Sequence, residues 1–148
     1  MWQRLQTVFL VIIAASMSLM LLFPIWAGQG EQGQVVLFPF YLKTPTEELF
    51  YPYYFIATMA IAAVTVAIME ITKYKNRILQ VKLGAFNSLL MTATMVAALL
   101  MVRDLEAEYK GGYGISLFLP VIAMISNLIA NRFIRRDEKL VREADRLR

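Results

Sequence analysis

The chain has 148 residues, 59% hydrophobic and only 18% charged, with a formal net charge of +4; an ordinary soluble domain carries about 25% charged residues. It contains no Cys and no His, which excludes disulfides, thiolate nucleophiles, zinc fingers, an axial haem histidine and a Ser-His-Asp triad. The length suits one domain and leaves little room for a large enzyme with a grafted membrane anchor.

The charges are confined to short stretches. Leu5–Gly30, Leu49–Met69, Leu83–Val102 and Gly111–Asn131 contain no charged residue at all. A helix rises 1.5 Å per residue, so about 20 apolar residues cross a hydrocarbon core of roughly 30 Å. Each window reaches that length, and none shows the polar face that a helix on the surface of a soluble bundle would need. The sequence therefore predicts an all-α membrane fold. Four transmembrane helices are expected over about 5–27, 50–71, 82–102 and 114–134, followed by a C-terminal cytoplasmic amphipathic helix extension. In domain terms this is one four-helix integral membrane unit over 1–148, with a periplasmic loop at 28–50 and a basic cytoplasmic tail at 135–148.

In chain order, the first segment is expected to remain attached rather than to be cleaved. Its charged start holds only Arg4, its apolar run is longer than a signal peptide's, and Ile25 stands where an A-x-A-like site would need a small residue. The loop after it, about Gly28 to Tyr51, is the one sizeable connection. Gly28, Gly30 and Gly33 loosen its start, and Val35–Phe38 and Phe40–Tyr41 read as short extended pieces around Pro39, a small hairpin or an interfacial flap. The cytoplasmic loop Ile71–Lys82 is short, which makes segments two and three an antiparallel hairpin. The second outer connection, Arg103–Gly114, reads as a solvated turn; as a helical extension it would spread Asp104, Glu106 and Glu108 around the axis rather than gather them on a cation.

Orientation follows from where Lys and Arg lie. An even number of crossings puts both termini on one side. All but Lys43, Arg103 and Lys110 of the 15 basic residues fall on that side, so it is read as cytoplasmic. The net charge is then a topology signal rather than a nucleic-acid footprint. Trp2 and Tyr74 on the inner level, and Trp26, Tyr51, Tyr53, Tyr54, Tyr109 and Tyr113 on the outer level, are expected to be interfacial anchors.

Polar groups inside the windows are few, and ionisable ones there would be the first functional candidates. Glu70 comes nearest, at the cytoplasmic end of segment two, and Lys73 is its natural helical partner. Asn87 in segment three and Asn127 in segment four lie at similar depth and are expected to hydrogen-bond across the interface. Such a bond contributes about 0.6–2 kcal/mol in a membrane. Gly84, Ser88 and Thr92, like Ala63 and Ala67, recur at a spacing that lets helices approach closely.

On a helix continuing from segment four, Phe133, Ile134, Leu140, Val141, Ala144 and Leu147 form one stripe opposite Arg135, Lys139, Arg142 and Arg146, with Glu138 and Arg142 as an i,i+4 pair. A basic amphipathic helix beside a membrane lies on the anionic leaflet or docks on a partner helix. Asp137 falls inside the apolar stripe; it is expected to bridge to Arg132 or Arg136, or to contact another subunit. Arg132, Asp137, Leu140, Arg142, Ala144 and Leu147 are the candidate docking residues.

The start Met1–Thr7 with its helix closing at Phe23-Pro24, the middle Tyr74–Gln80, and the end Leu128–Arg142 followed by Ala144–Arg148 are less generic. Over essentially the whole chain they make it resemble a family of small bacterial four-helix inner-membrane proteins, a domain of unknown function. In that family a Ser usually precedes the closing Ala-Asp-Arg-Leu-Arg, where Glu143 stands here. The resemblance implies four-helix topology and inner-membrane residence but no activity. It directs attention to Arg4, Gln6, Arg77, Arg132, Asp137, Glu138 and Arg142.

Two functional classes stay open. One is a non-enzymatic scaffold or accessory subunit of a membrane complex, partnered by the bilayer and by another membrane protein or a second copy. The other is a binder or carrier of a lipophilic molecule, a lipid or quinone, in a groove between helices that the nine Met and nine Phe would line. An enzyme is the weakest class, since catalysis would have to run on Glu70, Asp104 or the Asp137-Glu138 pair. No cofactor, metal or nucleic acid is expected.

Overall fold

A computed structural model describes residues 2–30, 33–74 and 76–146, without the side chains of residues 2–4 and 144–146. The fold is mostly helical. Helices α1 (Trp2–Met20), α2 (Tyr54–Thr72), α3 (Arg77–Glu106) and α4 (Leu119–Arg146) form a bundle in which α1 packs on α2 and α4, and α3 packs on α2 and α4. Tyr54–Thr72, Arg77–Glu106 and Ile115–Glu143 are long and apolar enough to cross a membrane, and Leu5–Met20 is a shorter apolar helix.

Burial follows the helical period. On α2 the inward stripe is Ile56, Ala57, Ala60, Ala63, Val66, Ala67 and Glu70. The small alanines let the neighbouring helices come close, and Leu10, Ile13, Met17 and Met20 of α1 complete the core. The opposite faces are apolar as well: Val11, Ile61, Ile68, Leu89, Leu100, Ile125 and Leu128 are all exposed. A soluble bundle would place charge on those faces.

The fold is not all-α. Strands β1 (Trp26–Gly30), β2 (Gly33–Leu37), β3 (Leu42–Lys43), β4 (Glu48–Leu49) and β5 (Lys110–Tyr113) form an antiparallel sheet in the order β4-β3-β2-β1-β5, which caps one end of the bundle. The expected hairpin in the first loop is therefore a four-strand meander. The second connection, expected to be a solvated turn, continues α3 to Glu106 and then supplies an edge strand.

This sheet moves several expected boundaries. Segment one was expected to remain helical to 27, yet α1 ends at Met20 and the apolar run continues as turn and strand. Two bonds join its last residues to the sheet: Ile25 N–H to the Leu37 carbonyl at 2.8 Å, and Gly114 N–H to the Ile25 carbonyl at 2.7 Å. The Ser116 hydroxyl closes the helix end by donating to the Met20 carbonyl at 2.6 Å. Trp26 is consequently no interfacial anchor; it is wholly buried. Its indole lies across Gly28 and Gly111, which face each other in register, and a β-carbon at either glycine would collide with the ring. Of the other expected outer anchors, Tyr51, Tyr54 and Tyr113 are exposed, and Tyr53 and Tyr109 half-buried.

At the opposite end, the connection between α2 and α3 is shorter than expected. Asn76 accepts from the Leu79 N–H at 3.0 Å and caps α3, which starts at Arg77 rather than at 82. Helix α4 runs without a break through the basic tail, as the amphipathic pattern predicts.

Candidate functional site

Near the tail end of the bundle, a layer of polar side chains is buried between the helices: Gln6, Glu70, Gln80, Asn87, Asn127 and Asn131. Three groups of contacts build it.

Between α3 and α4, the Asn127 amide donates to the Gly84 carbonyl at 2.8 Å and to the Ser88 hydroxyl at 2.7 Å. The Asn131 amide covers the bare Cα of Gly84, where any β-carbon would run into it. Glycine here is a packing requirement: it lets one helix lay its amides on the backbone of the other. The expected Asn87–Asn127 bond does not form. Successive helical residues point 100° apart, so the face of α3 that meets α4 carries Gly84 and Ser88, while Asn87 turns to α2.

Between α2 and α3, Gln80 donates to the Glu70 backbone carbonyl at 2.7 Å. The Glu70 carboxyl lies beside the Asn87 amide, yet neither Glu70 oxygen and neither Asn87 amide atom makes a hydrogen bond of good geometry. The expected Glu70–Lys73 ion pair is also not formed. Glu70 belongs to the inward stripe, whereas α2 has ended at Thr72 and Lys73 caps it from an exposed position. The Oδ1 atoms of Asn127 and Asn131 are likewise buried without a donor. The Glu70–Asn87 pair thus leaves acceptors and an amide donor buried between α2 and α3.

The third group ties three helices together. Gln6 of α1 donates to Asp137 Oδ2 of α4 at 3.1 Å, and Arg77 Nη1 at the start of α3 donates to the Asp137 carbonyl at 2.7 Å. Asp137 was expected to bridge to Arg132 or Arg136, or to reach another subunit. Its place in the inward stripe of α4 aims it at α1, where Gln6 meets it. Phe9 stacks on Phe133 with ring centroids 5.9 Å apart and closes the same α1–α4 contact.

Beyond this knot the tail helix loses its neighbours. Leu140 and Val141 are exposed, Arg142 pairs with Glu138 at 3.1 Å, and Arg132 is exposed on the side of α4. The side chain of Ala144, and Leu147 altogether, lie outside the described residues.

At the sheet end, two of the three acids considered for a cation, Glu106 and Glu108, engage tyrosines. Tyr113 donates to Glu106 at 3.2 Å and Tyr109 to Glu108 at 3.1 Å. Each acceptor holds its phenol proton in place and raises that tyrosine above its ordinary pKa, first through the hydrogen bond. Among the described residues, no three acidic side chains gather as a metal site.

A family model, a domain of unknown function (DUF4293), matches residues 2–147. The chain belongs to the DUF4293 family. A comparison with curated proteins found no match. The matched span of this DUF4293 protein takes in the bundle, the sheet and the tail helix, so the buried polar layer and the Gln6–Asp137–Arg77 knot both lie within the family domain.

Gln80 and Asn131 do not stand out in the sequence, because Gln80 lies between Arg77 and Lys82, outside the windows, and Asn131 is the last residue of its window beside Arg132. The clue available was position: Gln80 and Gly84 are one helical turn apart on the inward stripe of α3.

Proposed function

We propose that this DUF4293 protein crosses a bacterial inner membrane four times, with both termini cytoplasmic, and serves as a non-enzymatic scaffold or accessory subunit of a membrane complex. The apolar outward faces of the helices support the membrane reading, and the uneven distribution of Lys and Arg supports the orientation. A reporter enzyme fused after Arg148 should act as a cytoplasmic fusion; an externally active one would overturn the orientation.

The observation that carries the scaffold reading is the tail of α4. The knot at Asp137 fixes its direction, and the helix then projects about 15 Å further with Leu140 and Val141 exposed on it. Lys139 and Arg142 beside them are already paired with Glu143 and Glu138, so the exposed apolar pair is what a partner would cover, and the occupant that fits is an amphipathic helix of a partner protein. A photo-crosslinking residue in place of Val141 should give one discrete protein adduct in native membranes. Leu140→Asp in the same chain should abolish it. Adducts with lipid alone would refute docking and leave a helix that lies on the membrane surface.

A further inference from the structure

Helices α3 and α4 leave an open groove of about 420 Å³ between them, lined by Ala85, Ser88, Leu128, Asn131, Arg132 and Arg135. That volume lies within the range of small-molecule sites. Its lining changes character along its length. The bonds from Asn127 to Gly84 and Ser88, and from Arg77 to Asp137, fix the antiparallel register of the two helices. Arg135 therefore lies nearest the Asp137 knot, Arg132 one turn deeper, and Leu128 deeper again, some 10 Å from Arg135. Leu128 and Ala85 are exposed at the deep end.

The charge in the groove is unspent. Among the described residues, neither Arg132 nor Arg135 forms a salt bridge, and no acidic residue lines the groove. Asn131, nine-tenths buried with its amide turned onto Gly84, forms the floor between them. Two guanidiniums at one end and apolar contact at the other match a molecule built in the same order. Arginine suits the phosphate because its planar fork donates two parallel bonds to such oxygens. A free phosphate would leave the apolar end uncovered, and an uncharged partner helix would bury the two arginines without a counter-charge.

We propose that this groove binds one anionic phospholipid of the phosphatidylglycerol type. Its phosphodiester sits between Arg132 and Arg135, and an acyl chain runs along Leu128 and Ala85. The inference rests on the membrane reading above: Arg132 directly follows the fourth charge-free window, which puts the arginines at the level of cytoplasmic-leaflet headgroups.

The test uses the full-length protein and can separate the two readings. Flotation with phosphatidylcholine–phosphatidylglycerol vesicles after an alkaline wash comes first; protein that stays behind overturns the membrane reading itself. For protein that floats, native mass spectrometry in mild detergent compares titrations with phosphatidylglycerol, phosphatidylcholine and inorganic phosphate. The wild type should prefer phosphatidylglycerol to phosphatidylcholine by about tenfold, and Arg132→Ala with Arg135→Ala should remove that preference. Lys139→Ala with Arg142→Ala removes the same charge from the exposed tail and should change binding by less than about twofold. Leu128→Trp obstructs the apolar end from an exposed position and should weaken phosphatidylglycerol binding without unfolding the bundle. Equal losses in the two double variants would mean diffuse attraction and refute the site. Displacement of the lipid by inorganic phosphate would refute a phospholipid occupant.

Discussion

Trp26→Ala should destabilise the protein by about 3–5 kcal/mol, the range for truncating a large buried aromatic side chain, measured by thermal or denaturant unfolding in mild detergent. The indole is wholly buried and joins the sheet to the bundle core. The two strands beside it have given up their own side chains to make room, since Gly28 and Gly111 both lie under the ring. Nothing near can collapse into the space, because two opposed glycines bring no atoms to fill it. The loss should be local first: proteolysis should cut the β1–β2 and β5 segments at concentrations that leave α2 and α3 intact. Gly28→Val tests the same geometry in reverse, since the atoms nearest to its added β-carbon all belong to the Trp26 ring. It should destabilise the wild type by about 1–3 kcal/mol through overpacking, and destabilise the Trp26→Ala variant less, since the ring it collides with is gone. A Trp26→Ala protein within about 1 kcal/mol of wild type would refute the indole as the link between sheet and core.

The helices were legible from the charge-free windows because a long apolar run suits a buried or membrane-crossing helix, but the windows marked apolar runs and not helix ends. Helix α3 illustrates the difference. It begins at Arg77 and runs to Glu106, past charged residues at both ends, since nothing in Arg77, Lys82 or Arg103 opposes helix formation. At the end of α1 the error has the opposite sign. Apolar character continues through Trp26, but an apolar run does not distinguish a helix from a buried strand. Strand β5 was the least visible element. Lys110-Gly111-Gly112-Tyr113 has no alternating pattern, and it is a strand because β1, far away in sequence, offers it a free edge.

The polar layer was legible residue by residue and illegible as a set of contacts. Glu70, Asn87 and Asn127 stand out because polar residues are scarce in their windows, and all three are wholly buried. Their partners depended on rotation about the helix axes, which spacing along one chain does not give. One residue's difference on α3, Ser88 rather than Asn87, decides which neighbour α4 meets. The role of Asp137 was hidden for the same reason: its partners are Gln6 and Arg77, at the starts of two other helices. Here the resemblance helped where periodicity did not, because Gln6, Arg77 and Asp137 are all among the positions it singled out.

Glu70→Leu should stabilise the bundle, by about 1–3 kcal/mol, the cost of a buried polar group left without a hydrogen bond. The carboxyl is fully buried and neither oxygen makes a hydrogen bond of good geometry, so only the neighbouring Asn87 amide offsets its desolvation, and that in part. Leucine keeps most of the volume and removes the penalty. Lys73→Ala should leave stability within about 0.5 kcal/mol of wild type, since no ion pair is lost with it. Pairing Glu70→Leu with Asn87→Leu gives the sharper measurement. The two unpartnered groups lie side by side, and a double-mutant cycle reads how far each already compensates the other. If Glu70→Leu instead lowers stability by more than about 1 kcal/mol, the carboxyl has a partner in the intact protein that the chain itself does not supply. If it raises stability, Glu70 is a group whose position works against the fold. A side chain that breaks a packing rule without a compensating contact is where function is most reasonably sought, and the first variant to assay in any activity screen is then Glu70→Leu.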